Sequence, residues 1–287
     1  MKTIYLADDD EDDRMLIREA IERVIHDVRI LEVSDGESLL TMINSQKGSA
    51  DSELILMDMN MPRLNGLEAL SVLKADTDTQ HIPVLMMSTT SSQELVRKAY
   101  EEGINAYIVK PVSSAEFTHL AQSIDVCFLH SNLHIQDTPD KPNLKDTSIL
   151  VIEDNKDHLL LIRAAIRQSM PDVQVITMSE EAKVLDFFRT ELPRMPQKPH
   201  LVLLDLYFPS REAGIDLLQR VREILIMHKL LSIPLIVFSY SDDPRDIHAS
   251  YQNNANGYMV KGVDIADWES DFKSLHNFWW NTVSLPK

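Results

Sequence analysis

The feature that most constrains the fold of this chain is a repeat, because its second half carries the same order of chemical groups as its first. Each half holds an acid, a second acid, a hydroxyl and a lysine. They are Asp9, Asp58, Ser88 and Lys110 in the first half and Asp154, Asp205, Ser239 and Lys261 in the second. The hydroxyl and the lysine are 22 residues apart in both halves. A repeat of about 150 residues is too long for a solenoid unit and predicts two copies of one domain.

These groups follow apolar runs that are typical of buried strands. The runs in the first half cover 3–7, 30–33, 54–58, 83–88 and 105–109, and amphipathic helical patterns separate them. Such alternation predicts a parallel sheet in each domain, with residues 1–130 as the first domain and 147–287 as the second. The polar stretch 131–146, which contains two prolines, is predicted to be a linker. Since the carboxyl ends of parallel strands share one edge, we expect the acids, hydroxyl and lysine to meet there.

The groups at this edge suit the transfer of a phosphoryl group to a carboxylate. Hard oxygen ligands favour Mg²⁺, and a carboxylate can accept a phosphoryl group once the charge on the transferred oxygens is neutralised. In the first half we assign Asp58 as the nucleophile, with Lys110 and Ser88 as partners of the phosphoryl oxygens. The predicted metal ligands are Asp8, Asp9, Asp58 and the backbone carbonyl of Asn60. The simpler alternative for Asp58 alone is an acid that caps the turn after its strand.

Both halves resemble the receiver domains of response regulators in two-component signalling. In the first half the resemblance rests on the acidic pair, the motif D-x-N-x-P, the serine and the Lys-Pro pair, which stand in the family's order. The second half keeps the acidic pair, the acceptor Asp, the serine and the lysine in that order. It implies two tandem flavodoxin-like, doubly wound α/β domains, each with a five-stranded parallel sheet in the order 2-1-3-4-5 and five helices. The ending FWWNTVSLP further resembles the receivers that serve phytochrome-type sensor kinases.

The resemblance also implies a function. A histidine kinase, or a phosphotransfer protein, would phosphorylate Asp58, and also Asp205, with Mg²⁺ as cofactor. The modification would then switch protein contacts, with no DNA-binding output domain and no turnover of an external substrate. Tyr107 and Tyr258 would change rotamer during the switch; the alternative is that each is only a half-buried strand aromatic.

The second half keeps the chemical groups but departs from the family's pattern. Asp205 is the predicted acceptor there, Ser239 and Lys261 are its partners, and the metal ligands are Glu153, Asp154, Asp205 and Tyr207. Gly262 follows Lys261, where the family has a proline whose peptide bond is habitually cis, so the position of the lysine is open. Tyr207 replaces Asn60, and Tyr240 replaces Thr89. We predict that these two tyrosines shield the acceptor from water and prolong the life of phospho-Asp205.

Composition excludes several classes of function. A net charge of -17 argues against nucleic-acid binding, which needs clustered Lys and Arg. Cys127 is the single cysteine, so there are no disulfides within the chain and no cysteine-rich zinc site. The sequence has no apolar stretch of about 20 residues and no signal-peptide pattern, which predicts a cytoplasmic protein without a membrane span.

Two functions of other classes stay open from the sequence. One is a Mg²⁺-dependent phosphatase with an aspartyl-phosphate intermediate, although Asn60 and Tyr207 stand where such enzymes often carry a second Asp. The other is an interaction scaffold whose receivers are not phosphorylated. The aromatic triplet Phe278, Trp279 and Trp280 suggests either core packing or an interface, as in a homodimer or a pairing of the two receivers.

Overall fold

The computed structural model describes residues 2–46, 52–129 and 147–287 and divides into two compact units. Unit 1 comprises Met1–Ser131 together with Asn277–Lys287, and unit 2 comprises Asn132–His276. The predicted linker 131–146 lies outside the described residues. The final segment, predicted with the second domain, groups with unit 1 instead. None of the described helices is both long enough and apolar enough to cross a membrane.

Unit 1 alternates five strands with five helices. The strands are β1 Lys2–Ala7, β2 Val28–Val33, β3 Ser52–Asp58, β4 Val84–Ser88 and β5 Ala106–Val109. The helices are α1 Glu11–Val24, α2 Gly36–Ser45, α3 Gly66–Ala75, α4 Gln93–Glu101 and α5 Ser114–Phe128. All strands are parallel, in the order β2-β1-β3-β4-β5. The apolar run of β3 is fully buried from Leu54 to Met57, as expected for a central strand with helices on both faces.

Unit 2 repeats this architecture. Its strands are β6 Ser148–Ile152, β7 Gln174–Met178, β8 Leu201–Leu204, β9 Leu235–Ser239 and β10 Gly257–Val260. Its helices are α6 Lys156–Ser169, α7 Glu181–Asp186, α8 Arg211–Met227, α9 Pro244–Gln252 and α10 Ile265–His276. The order β7-β6-β8-β9-β10 is again parallel, so the predicted doubly wound fold is confirmed in both units. Helix α7 continues through a π-helical segment, Phe187–Glu191, and a 3-10 turn, Leu192–Arg194.

Strand register brings the hydroxyl of each unit beside its lysine. Ser88 is opposite Val109, and the backbone N–H of Lys110 donates to the carbonyl of Ser88 over 2.8 Å. In unit 2 the N–H of Lys261 donates to the carbonyl of Ser239 over 2.7 Å. The equal spacing of 22 residues therefore reflects the same pairing of the fourth and fifth strands in both units.

The segment Asn277–Lys287 completes the exposed edge of the first sheet. Val283 forms an antiparallel bridge with Ile108 of β5, and the N–H of Ser284 donates to the carbonyl of Tyr107 over 2.7 Å. Phe278 is buried and contacts Phe128 edge to face, with ring centroids 5.5 Å apart. The aromatic side chain thus packs into unit 1, and the following residues cover an edge that would otherwise offer unpaired backbone groups.

Candidate functional site

The acidic residues after β1 have two different roles: Asp10 caps helix α1, and Asp8 belongs to the predicted phosphoryl-transfer site. The side chain of Asp10 accepts the N–H groups of Asp12 and Asp13 and so caps α1, which explains why α1 begins at Glu11. Asp8 is fully buried at the end of β1, whereas Asp9 is exposed. Unit 2 repeats the arrangement with a buried Glu153, an exposed Asp154 and Asn155 as the cap of α6.

Lys110 brings the acids of unit 1 together. Its ammonium group lies 2.8 Å from Oδ1 of Asp58 and 2.7 Å from Oδ2 of Asp8. A third carboxylate, that of Asp13 on α1, lies 2.7 Å from the same nitrogen. Burial opposes the charged lysine, but the hydrogen bonds to these three acids outweigh it and raise the pKa of Lys110. The site thus holds a fixed positive charge next to the predicted acceptor.

Asp58 is held at the end of β3 with little access to solvent. Its side chain is only 6% exposed, and its Oδ2 accepts the backbone N–H of Asn60 over 2.5 Å. Gly66 at the start of α3 permits the turn to close, since a Cβ there would come within 2.5 Å of the carbonyl oxygen of Asp58. The carboxylate is therefore oriented by the lysine on one oxygen and by the turn on the other.

Unit 2 builds the same pair with a more deeply buried lysine. The Nζ atom of Lys261 lies 2.7 Å from Oε2 of Glu153 and 3.2 Å from Oδ1 of Asp205. The Lys261 side chain is completely buried, with the rings of Phe238 and Tyr240 5.5 and 5.2 Å from its nitrogen. Burial is the main cause of a raised pKa for Asp205, although the nearby Lys261 opposes the shift.

Gly262 does not displace the lysine. Lys261 reaches both acids, and the carbonyl of Gly262 accepts the indole N–H of Trp268 over 2.8 Å. A Cβ at position 262 would come within 2.6 Å of the Asp267 side chain, so a glycine suits this close approach. In the described part of the chain the one cis peptide bond joins Phe208 to Pro209, and neither site lysine is followed by one.

The hydroxyl and the tyrosine of each unit are arranged alike. In unit 1 Tyr107 is buried and its hydroxyl donates to the carbonyl of Thr90, while Ser88 Oγ accepts the N–H of Thr90. In unit 2 the hydroxyl of Tyr258 donates to the carbonyl of Ser241, and both of these tyrosine bonds are 2.8 Å long. Burial raises the pKa of both tyrosines, so both hydroxyls stay protonated and donate. Each tyrosine is thus tied to the loop that follows the serine.

The acids of unit 2 suit a hard divalent cation. Among the described residues, Glu153, Asp154 and Asp205 offer oxygens that all lie within 4.8 Å of one another. Three carboxylate oxygens in this space are the donor set that Mg²⁺ or Mn²⁺ prefers. In unit 1 the carboxylates of Asp8 and Asp58 converge on the ammonium group of Lys110.

The two tyrosines predicted to shield Asp205 line the cavity above it. Tyr207 and Tyr240 are 44% and 50% exposed, and His158 faces the same space with its Nδ1 3.3 Å from Oε1 of Glu153. The hydroxyl of Tyr207 does not point to the acceptor but donates to Asp246 on α9, over 3.0 Å. The tyrosines therefore narrow the approach to Asp205 without closing it.

Sequence reasoning missed several residues that contact this machinery. Asp13 lies one helical turn after Asp9, and that spacing is the only local signal that it could face Lys110. His158 occupies the equivalent position after Asp154. Asp246 lies on α9, far from the acceptor in sequence, whereas Arg211 follows Asp205 closely at the start of α8. No local pattern relates either residue to the acceptor.

Comparison with known proteins gives one consistent family. The family model described as response regulator receiver domain matches residues 4–122 and 149–271. The probable methanogenesis regulatory protein FilR2 of Methanothrix harundinacea is 30% identical over 131 residues, which is 45% of this chain and 84% of that protein. Response regulator Rcp1 of Synechocystis is 27% identical over 133 residues, covering 45% and 90% of the two chains.

One similar solved structure is that of a phytochrome response regulator. The crystal structure of the phosphorylated cyanobacterial phytochrome response regulator RcpA is 29% identical and covers 43% of this chain and 91% of that one, with a TM-score of 0.39. Each of these relatives matches a length close to one unit of this chain.

Proposed function

Because the chain belongs to the response regulator receiver domain family, we propose that each of its units accepts a phosphoryl group on the aspartate at the carboxyl end of its third strand. The acceptors are Asp58 in unit 1 and Asp205 in unit 2. The observation that carries the proposal is the contact of a lysine ammonium with the acceptor and with an acid after the first strand, found in both units.

The residues around Asp58 suit the transfer step. A bond forms between a carboxylate oxygen of Asp58 and phosphorus while the bond from phosphorus to the donor nitrogen breaks, and the donor imidazole keeps that electron pair. Lys110 neutralises charge on the transferred oxygens, and the buried hydroxyl of Ser88 can donate to another of them. A Mg²⁺ ion held by Asp8, Asp9, Asp58 and the Asn60 carbonyl would supply further charge neutralisation. In unit 2 the corresponding ligands are Glu153, Asp154, Asp205 and the carbonyl of Tyr207.

The proposed donor is a sensor histidine kinase or a phosphotransfer protein, and the ending FWWNTVSLP favours a kinase of the phytochrome type. The proposed output is a change in protein contacts. Moving the Ser88 hydroxyl toward a phosphoryl group would displace Thr90, whose carbonyl holds the Tyr107 hydroxyl. The tyrosine would then be free to change rotamer, and the modification would shift an existing equilibrium between two arrangements of the surface.

Incubation with acetyl phosphate tests the proposal. The full chain and its Asp58→Asn, Asp205→Asn and double variants are treated with Mg²⁺ or with EDTA, and acid-labile phosphate is measured. We expect labelling that needs Mg²⁺ and is lost in the double variant. Steady release of phosphate from a small ester would instead favour the phosphatase, and absence of any labelling would favour the scaffold.

A further inference from the structure

Asp246 is a buried acid of unit 2 that the phosphoryl-transfer site does not use. It lies in the first turn of α9, is only 2% exposed, and receives hydrogen bonds from three side chains. The hydroxyl of Ser241 donates over 2.5 Å, the hydroxyl of Tyr207 donates over 3.0 Å, and Arg211 donates through Nε. Burial alone would raise the pKa of Asp246, but these three donors outweigh it and hold the pKa below its ordinary value. The carboxylate is therefore charged and fully engaged.

Two of these donors are placed next to the groups that react. Tyr207 lies two residues after Asp205 and gives its backbone N–H to that carboxylate. Ser241 lies two residues after Ser239; its N–H donates to the Ser239 hydroxyl over 3.3 Å, and its carbonyl accepts the Tyr258 hydroxyl. Through these bonds Asp246 ties the loop after β8 to the loop after β9.

The described residues of unit 1 contain no equivalent of this arrangement. The position that matches Asp246, seven residues after the hydroxyl, holds Leu95, and Asn60 stands in place of Tyr207. Helix α4 also begins without a side-chain cap at Ser92. The tie between the two loops is thus a property of unit 2, although Ser88 and Tyr107 keep the geometry seen at Ser239 and Tyr258.

We propose that Asp246 is a positioning residue that holds the β9–α9 loop in its unphosphorylated arrangement and thereby slows phosphorylation of Asp205. The inference rests on the proposed function. For the Ser239 hydroxyl to move toward a phosphoryl group, the loop that carries Ser241 must shift as well. That shift breaks a charge-assisted bond and leaves a buried carboxylate short of a donor, which is costly. Unit 2 is therefore the harder of the two receivers to switch.

The test measures phosphorylation of Asp205 alone, in a full chain that also carries Asp58→Asn. Acetyl phosphate and Mg²⁺ are the probe. We expect Asp246→Asn to raise the initial labelling rate about tenfold, since hydrogen bonds to charged groups are the strong ones. Asp242→Asn, which removes an exposed acid from the same loop, is the matched control and should leave the rate unchanged.

Two further readouts separate positioning from general damage. Ser241→Ala should also accelerate labelling, and the two changes together should accelerate it by less than the product of their separate effects, because both act on the bond between Ser241 and Asp246. Amide exchange at Ser241 in the unphosphorylated chain should quicken in Asp246→Asn and not in Asp242→Asn.

Equal labelling rates with and without Asp246, in a chain that does label Asp205, would overturn the inference alone. A chain that labels Asp205 in neither background would overturn the proposed function of unit 2 and the inference with it. Labelling that appears only once Asp246 is replaced would support both.

Discussion

Lys261 meets Asp205 with its nitrogen 3.2 Å from Oδ1 and with no solvent access to the lysine side chain. The equivalent Lys110 is 2.8 Å from Asp58 and keeps 11% exposure. Each lysine neutralises the negative charge of two acids that lie at the ends of neighbouring strands. In unit 2 the rings of Phe238 and Tyr240 also cover the lysine. Water therefore cannot solvate its ammonium group, and the charge of the lysine is compensated by the acids alone.

Replacing the enclosed lysine should destabilise unit 2. Lys261→Met leaves Glu153 and Asp205 buried without a cation, and breaking a buried pair in this way costs about 3–5 kcal/mol. Native-state hydrogen exchange of amides in β6 and β8 would measure the loss.

Two controls define the cause of that loss. Lys273→Met removes an exposed lysine from α10 and should cost far less. Adding Glu153→Gln to Lys261→Met should recover part of the stability, because one uncompensated charge disappears. No recovery would mean that packing, and not charge, accounts for the loss.

Asp271 should make unit 2 less stable as the pH rises. Burial, with a smaller contribution from Asp267, raises the pKa of Asp271 to about 7 in the folded protein, from an ordinary value of 3.8. Between these values the folded state binds more protons than the unfolded state, so the stabilising contribution is complete below 3.8 and is lost as the pH rises through about 7.

The Asp271→Asn variant tests this sign directly. It should reduce the fall in stability between about pH 5 and about pH 8, as measured by urea unfolding at both values. Glu269→Gln, on the same helix, changes the formal charge by the same amount and should leave the fall in stability with rising pH unchanged. A variant of Asp271 that retains the full pH dependence would assign the effect to another group.

Phospho-Asp205 should outlive phospho-Asp58. Tyr240 lies beside Lys261 and lines the cavity over Asp205, where unit 1 has only Thr89. Dephosphorylation rates in Asp58→Asn and Asp205→Asn chains compare the two acceptors. Tyr240→Thr in the Asp58→Asn chain should speed hydrolysis toward the rate of unit 1, and equal lifetimes without that change would contradict the shielding by tyrosine.

Removing the C-terminal segment should weaken unit 1. Deleting residues 283–287 loses the bond from Ser284 to Tyr107 and uncovers the edge of β5, at a cost of about 1–2 kcal/mol. An uncovered edge also invites pairing with another chain. Urea unfolding and sedimentation would measure both effects, with Lys287→Ala, an exposed position, as the control. An unchanged free energy of unfolding would show that the segment does not stabilise unit 1.

The sequence was sufficient for the fold and for the groups at the strand ends. Parallel strands must bring their carboxyl ends to one edge, so Asp58, Ser88 and Lys110 could be placed together from spacing alone. The same logic held for unit 2 despite Gly262, because the lysine position follows from the pairing of β9 with β10.

Contacts that depend on tertiary geometry could not be anticipated. Asp13 reaches Lys110 only because α1 packs against α5, the helix that follows the lysine. Asp246 reaches Tyr207 only because α9 begins next to the loop after β8. The pairing of Val283 with Ile108 joins residues 175 positions apart, and nothing in the apolar pattern of either stretch specifies the other. Such contacts depend on how whole helices and strands pack together, and the periodicity of apolar residues predicts only the type of each element.

The proposed function requires two phosphoacceptors in this chain, and identifying the modified residues tests it. After labelling with acetyl phosphate and Mg²⁺, borohydride reduction and peptide mapping would identify the modified residues. We expect modification at Asp58 and at Asp205 in the unaltered chain, at the remaining acceptor in each single variant, and at neither position in the double variant. Labelling in the double variant equal to that of the unaltered chain, or modification of other acids in place of these two, would contradict it.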